Sequence, residues 1–238
     1  MERLQKVISE SGYCSRRKAE ELIINNKVMV NDVLVNKLGT KVNSEDIIKI
    51  DNKILRKEDK EYYLLNKPRG TVSTTKDDKN RKTIIELFKS SKRLYPVGRL
   101  DYDTTGAIIV TNDGDFANMI MHPKNKIEKR YIVKVKGQIK VDSIFKLKEG
   151  VTIDNIKCIP DKVKLRKYDK ETNSSILEII IHEGKNHEIK KLIENINYEV
   201  LKLKRESIAF LDLKNLKSGE YRKITPKELK KLYSLIKK

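Results

Sequence analysis

The feature that most constrains the fold is a series of short apolar runs that recurs from Tyr62 onward. These runs have the length of β-strands and cover Tyr62–Leu65, Leu94–Val97, Ala107–Val110, Ile132–Val135, Ile176–Ile181 and Val200–Leu203. Helical patterns separate some of them, at Ile84–Phe88, Asp115–Met121, Val141–Lys148, Glu188–Asn195 and Pro226–Ile236. Strands therefore outnumber helices, and Asn112–Asp113–Gly114 reads as a turn between neighbouring strands. The pattern predicts an α+β domain with a mainly antiparallel mixed sheet flanked by helices.

The first fifty residues predict a smaller unit of two helices and a hairpin. An apolar i, i+3, i+4 stripe begins at Leu4 and indicates a helix that ends at Gly12. Ser15 is placed as the N-cap of a second helix over residues 16–25. Two β-prone runs on either side of Asn31–Asp32 then predict a tight hairpin. Because residues 51–61 are mostly charged, we interpret them as a linker, which leaves 1–50 and 62–238 as the two domains.

Three consecutive cations, Arg16, Arg17 and Lys18, form the predicted first turn of the second helix. Positive charge at this end of a helix opposes the helix dipole, which favours negative charge there. The cluster therefore costs stability and points to an anionic ligand. Three solvated surface charges are the alternative interpretation.

The chain is strongly basic, with 53 Lys and Arg against 34 Asp and Glu and a net charge of +19. Such an excess suits a polyanionic partner, either nucleic acid or an acidic membrane face. An AT-biased genome, which favours Lys, Ile and Asn, is an alternative source of part of this excess. Residues 1–60 carry 13 basic and 10 acidic residues and the remainder 40 and 24. The positive charge of the larger part thus needs its own explanation.

Several classes of protein find no support in the sequence. No apolar run approaches the roughly 18 residues of a membrane span, and the N-terminus lacks the apolar region of a signal peptide. Cys14 and Cys158 are far apart and have no CxxC partner, which argues against disulfides and for a reducing cytoplasm. The three histidines are too scattered for a zinc site. Phosphate-loop, dinucleotide and serine-hydrolase motifs are also missing from the sequence.

Three segments carry polar residues where predicted strands end: Leu65–Gly70, Pro96–Gly106 and His182–Leu192. Loops at strand ends are common places for functional residues. In the second segment Asp101 lies two residues after Arg99. An Asp near an Arg is either half of a buried ion pair or a reactive carboxylate. In the third, Lys190 and Lys191 fall in the first turns of a helix that begins near His187. The residues by themselves leave these alternatives open.

Together these segments resemble the RsuA/RluB family of ribosomal RNA pseudouridine synthases. Its central motif is matched by Gly98–Asp101, which is followed by Thr104–Gly106 and Thr111–Gly114. Its other motifs are matched, in order, by Asn66–Gly70, Glu128–Tyr131, Glu183–Lys190, Leu203–Glu206 and Gly219–Arg222. Residues 1–50 are similar to an S4-like RNA-binding domain, which precedes the catalytic domain in this family. The resemblance thus runs almost from end to end.

The resemblance implies a reaction in which uracil is detached from C1′ of its ribose, turned and rejoined through C5, with no metal and no organic cofactor. Asp101 matches the family's essential carboxylate, as a nucleophile or as a proton carrier. Lys190 matches the basic residue that keeps this carboxylate ionised. Tyr131 matches the aromatic ring that packs against the target base. A purely structural Asp101–Lys190 ion pair and a core role for Tyr131 are the alternatives.

The remaining expectations concern RNA contacts. By similarity to related synthases, Arg99 is a candidate to fill the space that a flipped-out uridine leaves in its stack. Phosphate contacts are expected from five further cations, Lys67, Arg69, Arg16, Arg17 and Lys18.

Within the family, Met1–Leu4 leading into Ser15–Leu22, together with Met121–Pro123, favours the large-subunit (23S) branch. The small-subunit (16S) branch is the alternative, because Tyr102–Gly106, His187 and Lys190 also occur in patterns seen there. A non-catalytic RNA-binding assembly factor that kept the fold is a second alternative. We expect a cytoplasmic monomer whose partner is ribosomal RNA or an assembly intermediate, and no membrane partner.

Overall fold

The computed structural model describes residues 1–185 and 187–236. The chain divides into two compact units. The first unit comprises Met1–Glu61, Lys89–Tyr95 and Thr111–Gly114, and the second comprises Tyr62–Phe88, Pro96–Val110 and Asp115–Lys238. Asn186 of the last predicted motif lies outside the described residues.

Strands and helices alternate irregularly along the chain. The strands are β1 Glu2–Arg3, β2 Val28–Val30, β3 Val33–Leu34, β4 Lys41–Val42, β5 Ile48–Ile50, β6 Lys53–Ile54, β7 Tyr62–Lys67, β8 Tyr95–Val97, β9 Thr105–Thr111, β10 Lys129–Lys136, β11 Val151–Ile153, β12 Ile156–Cys158, β13 Lys162–Asp169, β14 Ser174–Ile181, β15 Val200–Ile208, β16 Leu211–Asp212 and β17 Tyr221–Lys223. The α-helices are α1 Leu4–Glu10, α2 Arg16–Ile24, α3 Gly114–Met121, α4 Val141–Glu149, α5 Glu188–Asn195 and α6 Pro226–Ile236.

The first unit is built from α1, α2 and a small sheet in the order β3-β2-β5-β6. Ser15 caps α2 as expected, because its hydroxyl accepts a hydrogen bond from the backbone N–H of Lys18 at 3.2 Å. Apolar residues from both helices and the sheet, including Leu4, Ile23 and Ile50, form its core. Within the segment interpreted as a linker, β6 pairs with β5, so that segment is not irregular throughout.

The second unit is organised by one mixed sheet. Within the described residues, seven of its nine strands follow the order β13-β14-β10-β15-β9-β7-β17, while β16 pairs with β15 and β8 with β9. The pairs β13–β14, β14–β10, β10–β15 and β7–β17 are antiparallel, and β9 lies parallel to β15. Along β10, buried residues alternate with more exposed ones, because successive side chains point to opposite faces. The predicted α+β architecture is confirmed.

Three local expectations differ from the structure. The Asn112–Gly114 segment leads from β9 into α3 and does not join two strands. The predicted helix at Ile84–Phe88 is only a short 3-10 turn, Ile85–Leu87. Strand β13 is absent from the predicted runs because it is rich in exposed Lys and Arg, so the hydrophobic pattern does not reveal it.

Among the described helices, none combines the length and the apolar character needed to cross a lipid bilayer.

Gly106 allows the parallel strands β9 and β15 to approach closely. A Cβ atom at this position would lie 2.1 Å from the backbone oxygen of Arg205, and the φ of Gly106 is +110°. Only glycine adopts this backbone conformation readily and leaves room for the neighbouring strand. The residue therefore sets the spacing between β9 and β15, and β15 lines the candidate site described below.

We expect Gly106→Ala to lower the free energy of unfolding by roughly 3–5 kcal/mol, because the added methyl group collides with backbone that has no room to shift. Urea unfolding followed by circular dichroism measures this change. Gly137→Ala is the matched control: Gly137 also has a positive φ, +81°, but its Cβ would meet nothing within 4 Å. That control should cost only about 1 kcal/mol. Equal losses in the two variants would contradict the close-approach explanation.

Candidate active site

The loop between β8 and β9 carries the predicted catalytic carboxylate and is anchored by its backbone. The Ser73 hydroxyl donates to the Leu100 carbonyl at 2.8 Å and accepts from the Leu100 N–H at 3.1 Å. The Thr104 N–H donates to the Asp101 carbonyl at 3.1 Å. Hydrogen bonds on both sides of Asp101 thus restrain its backbone, and its side chain remains partly exposed.

Lys67, the last residue of β7, is hydrogen-bonded to the backbone of the same loop. Its side chain is 0% exposed, and its ammonium donates to the carbonyls of Pro68, Asp101 and Thr104 at 3.1, 3.0 and 2.9 Å. Burial lowers the pKa of Lys67 to about 8, although the carboxylates of Asp101 and Asp103 oppose the shift. The prediction that Lys67 contacts phosphate is wrong, because its ammonium is enclosed and committed to backbone carbonyls.

Helix α5 brings Lys190 to the carboxylates of the loop. Its Nζ lies 3.1 Å from Asp101 Oδ2, and it also donates to Asp103 at 2.7 and 3.0 Å. Burial opposes the charged form of Lys190, but the hydrogen bonds to Asp103 and Asp101 outweigh it and raise its pKa. The same contact lowers the pKa of Asp103. One ammonium therefore pairs with two carboxylates, and the sequence alone did not indicate that Asp103 belongs to the site.

His187 approaches the other oxygen of the same carboxylate. Its Nε2 lies 3.4 Å from Asp101 Oδ1. His187 precedes α5 with a φ of +54°, a left-handed conformation that is uncommon for a residue with a side chain. Asp101 thus has a nitrogen group beside each of its oxygens, both from the start of α5.

A cavity of about 400 Å³ opens next to this cluster. Asp101, Tyr131 and Lys190 all line it, so the structure brings the three predicted catalytic residues together. Tyr131 is 7% exposed, and its hydroxyl accepts a hydrogen bond from Arg205 Nη1 at 3.4 Å. Arg205 is 4% exposed and also donates to the Ala107 carbonyl at 2.6 Å. Arg205 falls within the matched Leu203–Glu206 motif, but its sequence position alone indicates no role for it.

Lys129 supports another wall of this cavity. Its ammonium donates to the carbonyls of Ile127, His182 and Glu183 at 3.2, 2.8 and 3.0 Å. Burial, reinforced by the nearby charge of Arg205, lowers the pKa of Lys129 to about 8. The lysine thereby connects the start of β10 to the segment that leads into α5.

The predicted RNA-binding cations other than Lys67 lie at the surface. Arg99 is exposed at the cavity lining, and Arg69 is exposed on the turn after β7. Arg16, Arg17 and Lys18 are exposed on the first turn of α2, within the first unit, and Lys18 forms an ion pair with Glu21 at 2.6 Å.

One group near the cavity offers ligand atoms to a cation: Cys158, Glu183 and Glu188, whose atoms lie within 4.8 Å of one another. Lys185 reaches this group, with its Nζ 3.3 Å from Cys158 Sγ and 2.6 Å from the Glu183 carboxylate. The lysine already supplies positive charge there.

The pH dependence of stability tests the burial of Lys67. In the unfolded chain a lysine keeps its proton up to about pH 10.4, whereas in the folded protein Lys67 releases it near pH 8. The unfolded state therefore binds more protons in this interval, so the contribution of Lys67 to stability rises from pH 8 to about pH 10 and is lost again as the pH falls through 8. The gain is at most about 3 kcal/mol.

We expect the difference in unfolding free energy between the wild type and Lys67→Met to move in favour of the wild type as the pH rises from 7.5 to 10. Urea unfolding at several pH values measures it, and the subtraction removes other titrating groups. Lys148→Met, at an exposed lysine of α4, serves as the control. A pH-independent difference for Lys67→Met would contradict the depressed pKa.

Comparison with known proteins agrees with this geometry. Residues 61–195 match the family model described as RNA pseudouridylate synthase, and residues 2–48 match the S4 domain. The chain is 48% identical to the ribosomal large subunit pseudouridine synthase B of Bacillus subtilis, covering 99% of this chain and 97% of that protein. It is 38% identical to an uncharacterized RNA pseudouridine synthase of Aquifex aeolicus, covering 98% and 94%.

A solved structure supports the same assignment. A crystal structure of a pseudouridylate synthase superimposes with a TM-score of 0.68 at 29% identity, covering 98% of this chain and 100% of the other. The resemblance predicted from the sequence motifs is confirmed. Since both the sequence and the fold agree over nearly the whole length, this chain belongs to the RNA pseudouridylate synthase family.

Proposed function

We propose that this protein converts a uridine of large-subunit ribosomal RNA to pseudouridine, with Asp101 as the catalytic carboxylate. The observation that carries the proposal is the placement of the Asp101 carboxylate, paired with Lys190 at 3.1 Å, in a cavity that Tyr131 also lines. The choice of large-subunit RNA rests on the similarity to the ribosomal large subunit pseudouridine synthase B of Bacillus subtilis.

The reaction is an isomerisation in which the N1–C1′ bond breaks and a C5–C1′ bond forms. The proton on C5 is lost and N1 gains one, so no external oxidant or reductant is required. Asp101 acts as the nucleophile or carries a proton during rearrangement. The Lys190 ammonium pairs with this carboxylate at 3.1 Å and supplies a compensating positive charge when a bound base excludes water.

The cavity wall suits a planar pyrimidine. The ring of Tyr131 provides a face for stacking, which is worth roughly 1–3 kcal/mol per base. Arg205 fixes the Tyr131 hydroxyl through its hydrogen bond, so the ring is held before the base arrives. The volume of about 400 Å³ lies in the range typical of pockets for small ligands.

Contacts outside the cavity hold the nucleotide out of its RNA stack. Arg99, exposed at the cavity lining, is suited to occupy the space that the uridine vacates. Arg69 and the cations of α2 are suited to bind phosphates, which supply affinity but no sequence selection. We propose that the protein works in the cytoplasm as a monomer.

Incubation of the purified protein with unmodified 23S and 16S rRNA transcripts, followed by chemical mapping of pseudouridine, tests the substrate. Product at one position of the 23S transcript is expected. Product only on the 16S transcript would overturn the choice of subunit. Binding without product on either RNA would favour a non-catalytic assembly factor.

Asp101→Asn should reduce turnover by at least about 10²-fold while the Kd for the RNA changes only a few-fold, because the carboxylate does not contact phosphate. Single-turnover kinetics and filter binding measure the two quantities. Asp103→Asn, which removes the neighbouring carboxylate that shares Lys190, should retain measurable turnover. If binding falls as much as turnover in Asp101→Asn, the residue is structural.

Replacing Arg16 and Arg17 by Gln should weaken RNA binding and reduce the slope of log K against log salt by about 0.7–0.9 for each phosphate that is no longer neutralised. Binding titrations between low and physiological salt measure the slope. Lys18→Gln should change it less, because Glu21 already neutralises that lysine. A slope unchanged by the double substitution would show that these cations do not contact the RNA.

A further inference from the structure

The face of the large sheet that carries no cavity residues is strongly basic. We define the basic face by six of the cations on this side of the sheet: Arg130, Lys134, Lys164, Lys167, Lys202 and Lys204. They are arranged in rows across neighbouring strands. In one row Lys164 pairs with Glu178, Glu178 with Ile132, and Ile132 with Lys204. In the next row, Lys167 pairs with Ile176, Ile176 with Lys134, and Lys134 with Lys202. In a third row, Arg130 pairs with Ile180 and Ser207.

The alternation of side chains places the basic face opposite the cavity. Tyr131, Leu203 and Arg205 line the cavity, and each occupies a position of the other parity along β10 or β15. The basic face is open, since Lys164, Lys167, Lys202 and Lys204 are exposed and Ile132 is only partly buried. RNA bound here would lie outside the target nucleotide's cavity.

This arrangement is electrostatically unfavourable for the isolated protein. Lys134 and Lys202 are direct cross-strand partners, and like charges in such pairs destabilise a sheet. Lys134 donates to the Thr172 hydroxyl at 3.4 Å and has no carboxylate partner within the described residues. A neutral or acidic residue at either position would remove the repulsion.

Carboxylates on this face do not neutralise the six cations. Glu178 is 2% exposed and is already held by Arg166 and by Lys162, the latter at 3.2 Å. Glu206, at the bulge of β15 beside the Arg130 row, is a single partly buried acid. A composition rich in lysine explains many exposed lysines but not their concentration on one sheet face without matching acids.

The spacing of the cations matches a nucleic-acid backbone. Lys202 and Lys204 are two residues apart on one strand and therefore about 7 Å apart along it. Lys164 and Lys204 are three strands apart, a separation of about 14 Å. No aromatic side chain occurs in the rows described above, so this surface offers charge and aliphatic contact but no stacking platform for bases.

We propose that the basic face is a second RNA-binding surface, which binds the phosphate backbone of structured RNA beyond the target nucleotide. The inference rests on the proposed function, in which the substrate is a large folded RNA. Binding there is independent of sequence and depends strongly on salt, because phosphate contacts release counterions. The surface increases affinity for the long substrate and takes no part in the chemistry.

The test replaces Lys164, Lys202 and Lys204 by Gln in the full-length protein. For a long 23S rRNA transcript, Kd should rise on the order of tenfold and the salt slope should fall by about 2–3. Turnover at saturating RNA should stay within about twofold, and Kd for a short hairpin that contains the target uridine should not change. Lys→Arg substitution at the same three positions should preserve both affinity and slope.

Lys223, Lys227 and Lys230 provide the matched control, since they are exposed lysines of β17 and α6, which contribute no residue to the basic face. Their replacement by Gln removes the same net charge and should leave Kd within about twofold. The proposal is overturned if both Gln triples weaken binding equally, if neither does, or if the short hairpin is affected as strongly as the long transcript. These binding results are independent of product formation, so a wild type that forms no pseudouridine would reject the proposed function separately.

Discussion

The buried ammonium of Lys67 determines the shape of the loop that carries Asp101. A lysine enclosed at 0% exposure is costly, and its lowered pKa reflects that cost. The cost is offset because the ammonium donates hydrogen bonds to three backbone carbonyls of the surrounding loops. Two of them belong to Asp101 and Thr104, so the backbone around the proposed catalytic carboxylate is tied to strand β7.

The side chain of Asp101 depends on a separate set of contacts, made by Lys190 and His187 from the start of α5. The backbone of the loop and the side chain of Asp101 are thus held by different groups. Rigid backbone hydrogen bonds position the loop, while the partly exposed Lys190 is shared with Asp103 and can respond when a base enters the cavity. Such preorganised groups stabilise charge that develops during reaction at little reorganisation cost.

The cations on the two sides of the large sheet differ in their burial and in their partners. Near the cavity, Lys67 and Arg205 are buried, Lys129 is partly buried, and each donates to at least one backbone carbonyl. On the other side, four cations of the basic face are exposed, Arg130 and Lys134 are partly buried, and most of the six have no acidic partner among the described residues. The period-two alternation of β10 and β15 separates these environments within a few ångströms. One sheet can therefore hold a well-ordered polar site and a diffuse polyanion-binding surface.

The amino-acid sequence by itself determined the α+β class, the two-helix unit at the N-terminus, most strand positions and the family, because these depend on local periodicity, capping and motif order. It also named Asp101, Tyr131 and Lys190, through the resemblance. It did not reveal the roles of Asp103, His187 and Arg205, and it misassigned Lys67. Only the tertiary structure decided the roles of these four residues. A sequence does not distinguish an exposed lysine from a buried one. Burial and partners arise from strand pairing between residues far apart in the chain, such as Gly106 with Arg205.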